Sequence, residues 1–225
     1  MEVSDLIKLM KERRSYRAFK PDEIPEDAIR KILEAGRWAP SSANSQPWDF
    51  IIVKERETKQ KIQENIRAVI EKIRSLREFP FLRTFTADYM LQAPVQIVVC
   101  ADPRFMRVSM MDQVDDQIEQ FAFWGSVSMA IQNMLLAAHA QGLGSVVFTD
   151  IYPDVIKKIL RVPEPLRVIC ILPIGYPREE RDIGSRREIE AFTHRERYES
   201  SKLRSDRFIE QARKDPYTTL VKRSG

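Results

Sequence analysis

The side chains best suited to chemistry lie near the start of the chain, in the stretch RRSYRAFKP. Arg13, Ser15 and Arg17 alternate there, so an extended backbone would point all three side chains the same way. Two guanidinium groups beside a hydroxyl suit a phosphate group, because their forked donors match phosphate oxygens. The alternative is a solvated helix end after KLMKERR. In either case Tyr16 and Phe19 face elsewhere and are expected to anchor the segment to the core.

A second candidate binding segment is WAPSSANSQPW, at residues 38–48. Pro40 and Pro47 exclude a helix, and the segment does not alternate as a strand would. Turn formation explains the loop but not its concentration of hydroxyls and amides, which indicates a further role. Trp38 and Trp48 are expected to fix the loop in the core, a role that packing alone explains.

The composition limits the classes of protein to which the chain can belong. Its 225 residues are enough for one sizeable core, and 43% hydrophobic residues is ordinary for a globular protein. No apolar run follows the opening MEVSDLIKLMKERR, and the apolar stretches near 95–100 and 168–174 are too short to cross a bilayer. We therefore expect no signal peptide, no membrane association and a cytoplasmic location.

The net charge of +4 is concentrated at the C-terminal end of the chain. Residues 195–225 carry nine Lys or Arg and five Asp or Glu, so the rest of the sequence is neutral overall. A tail of mixed sign predicts a solvated helix rather than an arm that binds nucleic acid.

The sequence lacks the common metal and nucleotide motifs. Cys100 and Cys170 each lie in a β-branched apolar run, which predicts two buried free thiols rather than a disulfide or redox pair. Two histidines and no CxxC give little support to a zinc site. Neither GxGxxG nor GxxxxGK[ST] occurs, so any phosphate group must be held mainly by side chains.

The pattern of apolar residues predicts alternating helices and strands. Strands are expected at 49–53, 95–100, 145–149 and 168–174. Helices are expected at 4–12, 25–36, 58–76, 83–91, 153–160 and 202–213. Because helices rather than hairpins separate the strands, we expect an α+β fold, a three-layer α/β/α sandwich around a central sheet.

The segment from about 115 to 141 predicts a longer helix. Its apolar residues cover most of the helix circumference, so the helix is expected to be buried. Small residues along it leave room for another backbone to approach, either in the core or across a dimer interface; they are Gly125, Ser126, Ser128 and Ala130.

Taken together, these segments resemble the flavin-dependent nitroreductase family. RRSYRAF at 13–19 resembles the family's opening motif, and APSSANSQPW at 39–48 resembles its most recognisable loop. NMLLAAHAQGLGS at 133–145 is similar to its central helix and turn, and ILPIGYP at 171–177 to its last core strand. The resemblance runs from about residue 6 to 198 with the motifs in the family's order.

The resemblance implies an intertwined homodimer that binds FMN at the subunit interface and uses NADH or NADPH as reductant. It implies that Arg17 reaches the pyrimidine edge of the flavin and that residues 40–42 lie against the flavin of the partner subunit. The backbone amides of Thr149 and Asp150 are implied to face the reactive ring nitrogen. The full implied cofactor-binding set is Arg13, Arg14, Ser15, Arg17, Pro40, Ser41, Ser42, Asn44, Gln46, Thr149, Asp150, Arg186 and Arg187.

The resemblance also implies which residues contact the phosphate group of FMN and where the domains begin and end. Arg13 and Ser15 are implied to contact the phosphate or ribityl chain of FMN, and GSRRE is implied to return Arg187, or Arg186 in its place, to the phosphate. Residues 1–198 would form the FMN-binding domain, and residues 199–225 a basic tail that we expect to be helical.

The implied function is reduction of nitroaromatic, quinone or related electron-poor acceptors by a ping-pong mechanism, with the flavin rather than a side chain carrying the chemistry. Ser126 departs from the family, since many members carry an acidic residue there. The stretch 64–92 is where members build a substrate lid; its aromatic residues are Phe79, Phe81, Phe85 and Tyr89, which ordinary packing also explains. One alternative is an enzyme of the same fold that acts on flavin or on a halogenated aromatic. The other is a non-catalytic module whose tail contacts nucleic acid.

Overall fold

The computed structural model describes residues 2–76, 86–107 and 116–214, which fall into two compact units. The first unit ends at Arg181 and the second begins at Asp182. In chain order the first unit contains α1 (Val3–Glu12), α2 (Glu26–Arg37), β1 (Trp48–Val53), α3 (Arg56–Leu76), α4 (Asp88–Gln92), β2 (Val95–Ala101), α5 (Asp116–Ala140), β3 (Gly144–Ser145), α6 (Pro153–Leu160) and β4 (Arg167–Gly175).

A four-stranded antiparallel sheet of order β1-β2-β4-β3 lies at the centre of the first unit. Along the central strand β2, Val98 and Cys100 face one apolar cluster, whereas Ile97 and Val99 face the other. Helices α3, α4 and α6 cover the first face, and α2 and α5 cover the second. Since β2 is buried on both faces, its sequence is continuously apolar rather than alternating. The predicted α+β, three-layer sandwich is confirmed.

The two cysteines lie on neighbouring strands but belong to different layers. Cys100 packs in the cluster beneath α3 and α6, and Cys170 packs in the cluster beneath α2 and α5. Both are free and 1% exposed, as predicted. Burial raises the pKa of the Cys100 thiol to about 11 and that of Cys170 to about 12, so both stay protonated at neutral pH.

Helices α2 and α5 approach closely because a glycine stands at their crossing. A Cβ at Gly36 would lie 2.8 Å from Cγ of Met134, a core residue that is 1% exposed. Beside this crossing, Nδ2 of the adjacent Asn133 donates to the carbonyl oxygen of Ala35 at 3.1 Å. These contacts hold the end of α2, and the loop that follows it, against the side of α5.

Helix α5 confirms the predicted long helix, but its burial is one-sided. Phe123, Val127 and Met134 pack in the core, whereas Phe121 is 80% exposed and Met129 41% exposed. The expectation that the helix is buried all round is therefore wrong for the single chain. By length and composition Gln120–Ala140 could cross a membrane, a test that the core helix of a soluble protein also passes.

Three of the four predicted strands are confirmed, but the prediction for 145–149 is wrong. Only Gly144–Ser145 pairs as a strand, and Phe148 adds one isolated bridge to Ile171. The segment lies at the edge of the sheet and leaves it after two residues, so its apolar character reflects burial beneath α4 and α6 rather than continuous pairing. The helix predicted at 83–91 is α4, which begins at Asp88; residues 83–85 lie outside the described chain.

The second unit contains two short 3₁₀ turns, Ile189–Ala191 and Ser200–Lys202, followed by α7 (Asp206–Lys214). The predicted helix at 202–213 therefore begins later than expected, and residues 215–225 lie outside the described chain. A cavity of about 1140 Å³ lies within this unit, lined by Arg186, Arg187, Arg204, Phe192 and Phe208 among others. The predicted domain limit at 198 stays a prediction.

Candidate functional site

The basic segment after α1 lies beside the sheet edge. Helix α1 ends where the amide of Arg13 donates to the carbonyl oxygen of Leu9 at 3.1 Å. The chain then forms a parallel bridge between Ser15 and Ser145, in which the Tyr16 amide donates to the Ser145 carbonyl oxygen at 3.1 Å. This pairing fixes the segment next to the strand that leads to residues 149 and 150.

The position of the segment depends on a glycine in β3. A Cβ at Gly144 would lie 2.9 Å from Cβ and Cγ of Tyr16, closer than real side chains approach one another. Tyr16 is 9% exposed and Phe19 is fully buried, so the prediction that they anchor the segment is confirmed. Their anchoring leaves the cationic residues between and before them nearer the surface.

The cationic side chains offer donors to an anionic ligand. Arg13, Arg14 and Ser15 are partly exposed, and Arg17 is exposed. The Nε atom of Arg14 is buried and has no acceptor among the residues that the structure describes. A buried N–H without an acceptor is costly, so an oxygen-rich ligand at this position would be stabilised.

Tyr89 of α4 connects the basic segment to the turn at 149–150. Its ring packs between Phe19, at 6.4 Å between centroids, and Phe148, at 6.2 Å. Burial raises the pKa of the phenol to about 12; the charge of Arg17 and its hydrogen bond oppose that shift, and the charge of Asp150 adds to it. Arg17 and Asp150 therefore both lie close to the Tyr89 hydroxyl, which is neutral at physiological pH.

The turn that carries Thr149 and Asp150 is exposed and is held from below. The amide of Ile151 donates to the Thr149 carbonyl oxygen at 2.9 Å, which closes the turn. The next amide, that of Tyr152, donates to Oδ1 of Asn65 at 3.1 Å. Asn65 lies on α3 and is 6% exposed. No local sequence pattern indicates this contact, because its two partners are 87 positions apart in the chain.

The loop between α2 and β1 has an unusual backbone. Ala43, Asn44 and Gln46 all have positive φ, at 50°, 54° and 46°. Non-glycine residues rarely adopt that region, although asparagine tolerates it better than most. The Gln46 amide donates to Oγ of Ser41 at 3.0 Å, and the Gln46 side-chain amide donates to the Asn44 carbonyl oxygen at 3.2 Å. Pro40, Asn44 and Gln46 are exposed.

One hydrogen bond ties this loop to the long helix. The amide of Ser42 donates to Oγ of Ser126 at 3.1 Å, and that hydroxyl donates to the Ala122 carbonyl oxygen at 2.7 Å. Ser126 is 1% exposed. Ser126, which the resemblance predicts to depart from the family pattern, thus makes a direct contact with the loop.

The two tryptophans that bracket the loop behave differently. Trp48 begins β1 and is partly buried, whereas Trp38 is 72% exposed. Nε1 of Trp38 donates to Glu34 at 2.7 Å, and the guanidinium of Arg37 lies 5.2 Å from the ring centroid. The prediction that Trp38 plugs into the core is wrong, because these two charged neighbours on α2 hold the ring at the surface.

Within the single chain the loop and the basic segment lie at opposite edges of the sheet. The loop leads into β1, and the basic segment pairs with the outer side of β3, so four strand spacings, about 19 Å, separate β1 from the basic segment. Along α5 the loop contacts Ser126. Further along the same helix, burial is the main cause that lowers the pKa of His139, and the charge of Arg13 also lowers it, so Arg13 lies near His139. Those two helix positions are about 20 Å apart.

The sequence profile of the nitroreductase family matches residues 10–176, which is nearly the whole first unit and about three quarters of the chain. The chain belongs to the nitroreductase family. A Methanothermobacter thermautotrophicus protein named "Putative NADH dehydrogenase/NAD(P)H nitroreductase" is 33% identical over 78% of each chain. A Thermotoga neapolitana iodotyrosine deiodinase is 29% identical over 82% of this chain and 95% of its own.

Solved structures show the same fold. An oxidised iodotyrosine deiodinase bound to FMN and 3-iodo-L-tyrosine has a TM-score of 0.71 and 26% identity, covering 86% of this chain and 99% of that chain. An FMN-dependent nitroreductase from Clostridium difficile has a TM-score of 0.64 and 26% identity, covering 85% of this chain and 99% of that chain.

The remaining predicted site residues of this nitroreductase-family protein lie in the second unit. Arg186 and Arg187 are exposed; Arg186 donates to the Ser185 carbonyl oxygen at 2.8 Å, and Arg187 donates to that of Ala191. The Arg187 guanidinium also lies 5.5 Å from the ring centroid of Phe192. Their predicted contact with an FMN phosphate stays a prediction.

Proposed function

We propose that this protein is an FMN-dependent oxidoreductase that takes hydride from NADH or NADPH and reduces nitroaromatics, quinones or related electron-poor acceptors. Membership of the nitroreductase family supports oxidoreductase activity. The FMN named for two structural neighbours supports the cofactor, and the name of the archaeal relative supports a nicotinamide reductant. We place the enzyme in the cytoplasm and regard a small-molecule acceptor as its second substrate.

The residues beside β3 fit the anionic end of FMN. In this proposal Arg13, Arg14 and Ser15 bind the phosphate and the ribityl chain through guanidinium and hydroxyl donors. The buried Nε of Arg14, which has no acceptor in the described chain, gains one when the ligand binds. The exposed Thr149–Asp150 turn presents backbone amides to the flavin ring, and Asn65 holds that turn in place.

Bound FMN would supply hydride transfer, a reaction that none of these side chains performs. The protein's contribution is electrostatic. Arg17 places positive charge at the pyrimidine edge, where it stabilises the negative charge of the reduced ring. Tyr89 holds the guanidinium there without cancelling its charge, because burial keeps the phenol neutral.

A homodimer completes the site. The loop at 40–46 and the arginines at 13–17 of one protomer lie at opposite edges of the sheet, so we propose that the loop of one copy covers the FMN of the other. The exposed apolar side of α5, which includes Phe121 and Met129, supplies a surface for the second copy. Asn44 and Gln46 then reach the partner's cofactor as amide donors.

The observation that carries the proposal is the bridge between Ser15 and Ser145, which sets the arginine segment beside the strand leading to Thr149 and Asp150. The test is an anaerobic titration of the FMN-loaded protein with NADH and then NADPH. Bleaching of the flavin bands by either reductant, followed by recovery on addition of a nitroaromatic, is the expected result. Protein that stays colourless after FMN is added and desalted would contradict the proposal and favour a non-catalytic module.

A second candidate activity is reductive dehalogenation of an aromatic substrate. The iodotyrosine deiodinase relative and the deiodinase of the same fold favour it. Steady consumption of NADH or NADPH with a nitroaromatic, and no iodide release from 3-iodotyrosine, supports the main proposal. Iodide release without nitroaromatic turnover supports the second. Turnover of free flavin alone would indicate a flavin reductase.

A further inference from the structure

We propose that Ser126 is a positioning residue that fixes the loop at 40–46 in the shape that contacts FMN. The inference rests on the proposed function, because the loop's role at the cofactor is part of that proposal. Ser126 is buried and bonds the Ser42 amide, so it would act through the backbone of Ser42 and not by touching the ligand.

Two hydrogen bonds at the Ser126 hydroxyl connect the loop to helix α5. Oγ of Ser126 accepts from the Ser42 amide at 3.1 Å and donates to the Ala122 carbonyl oxygen at 2.7 Å. A hydroxyl has one donor and two acceptor positions, and its bond to the carbonyl oxygen directs a lone pair toward the loop. With the side chain 1% exposed, water does not readily replace this acceptor.

The loop needs an external anchor because its own backbone is strained. Ala43, Asn44 and Gln46 occupy the left-handed region, which costs non-glycine residues free energy and persists only where surrounding contacts impose it. The bond from the Gln46 amide to Oγ of Ser41 closes the loop on itself. The bond to Ser126 ties that closed loop to the helix that forms one wall of the core.

An exposed serine on another helix provides a comparison. Ser4 lies on α1 and is exposed, so it belongs neither to the loop anchor nor to the side of α5 proposed to meet the second copy. Replacing Ser4 removes a helical hydroxyl without touching the contact with Ser42. Any effect specific to Ser126 is therefore separable from a general effect of removing a serine hydroxyl from a helix.

The first experiment compares Ser126→Ala, Ser126→Thr and Ser4→Ala in the full chain. Hydrogen exchange of the ligand-free protein reports the anchor, and FMN affinity with the absorption spectrum of bound FMN reports its effect on the site. Loss of one such hydrogen bond is expected to raise the FMN Kd by roughly threefold to tenfold in Ser126→Ala and to speed exchange in the peptide covering residues 41–46. Threonine keeps the hydroxyl and is expected to restore both; Ser4→Ala is expected to change neither.

The results separate this inference from the proposed function. If the wild-type protein binds no FMN, the proposed function fails, while exchange still shows whether Ser126 anchors the loop. If Ser126→Ala speeds exchange but leaves FMN affinity and spectrum unchanged, the positioning role is overturned. Unchanged exchange in Ser126→Ala, or equal effects in Ser4→Ala, overturns the anchor itself.

The proposed dimer also predicts which protomer's FMN Ser126 affects, since the loop of one protomer covers the FMN of its partner. In a mixed dimer with Arg13→Ala and Ser126→Ala on different protomers, the surviving site combines a wild-type arginine with a wild-type loop and is expected to bind FMN normally. With both changes on one protomer, the surviving site has the altered loop and is expected to bind more weakly. The reverse pattern would show that Ser126 acts on the FMN of its own protomer.

Discussion

The most informative substitution at the proposed flavin site is Arg17→Ala. The reduced flavin ring is anionic, so loss of the guanidinium beside its pyrimidine edge destabilises the reduced form more than the oxidised form. The midpoint potential is therefore expected to become more negative. The fold is expected to persist, because Arg17 is exposed while Tyr16 and Phe19 anchor the segment.

The size of the shift follows from the surroundings of Arg17. A charge pair about 4 Å apart interacts by about 4 kcal/mol at the effective dielectric constant near a protein surface. Because Arg17 is exposed, solvent screening reduces that toward about 1–2 kcal/mol. For a two-electron couple, in which 1.4 kcal/mol corresponds to about 30 mV, the expected shift is about 20–40 mV.

The assay is a spectroelectrochemical titration of FMN-loaded protein. Lys20→Ala is the matched control: it removes the same charge from an exposed position on the same segment and keeps the amide that donates to the Tyr176 carbonyl oxygen at 2.8 Å. The control is expected to retain the wild-type potential. The role assigned to Arg17 is refuted if Arg17→Ala retains it too, or if both variants shift equally.

Three further substitutions test the packing, the thiols and the dimer. Gly144→Ala places a Cβ 2.9 Å from Tyr16 and is expected to lower the free energy of unfolding by about 1–3 kcal/mol in urea titrations; wild-type stability would contradict the contact. The pKa of the Cys170 thiol is near 9.0 in the unfolded chain but about 12 in the folded protein, so the free energy of unfolding falls as pH rises through that range. The Cys170→Ala variant is therefore expected to lose less stability than the wild type between about pH 8 and pH 10. Phe121→Asp is expected to dissociate the proposed dimer in gel filtration, whereas Val155→Asp on α6, in the opposite layer, is expected to leave it intact.

The sequence predicted the core of the fold because burial leaves a local signature there. Strand β2 is buried on both faces and therefore reads as an unbroken apolar run. The same apolar pattern led to a wrong strand prediction at 145–149, where the apolar residues are buried beneath helices but only Gly144 and Ser145 pair as a strand. Strand pairing depends on a partner elsewhere in the chain, and the residues of a short apolar run do not identify that partner.

Parts of the candidate site could not be predicted because their contacts are distant in sequence. The bond from Ser42 to Ser126 spans 84 residues, and that from Tyr152 to Asn65 spans 87. Neither serine nor asparagine carries a local pattern that identifies such a partner. The prediction for Trp38 is wrong for another reason. Its size suggested a core position, but Glu34 and Arg37 on α2 hold the ring at the surface.

The central claim is that two protomers enclose each FMN, and light scattering combined with flavin absorbance during size-exclusion chromatography tests it most directly. A single yellow species of twice the 26.3 kDa chain mass, with one FMN per protomer, is the expected result. A yellow monomer with one tightly bound FMN, or a dimer that carries no flavin after loading, would contradict it.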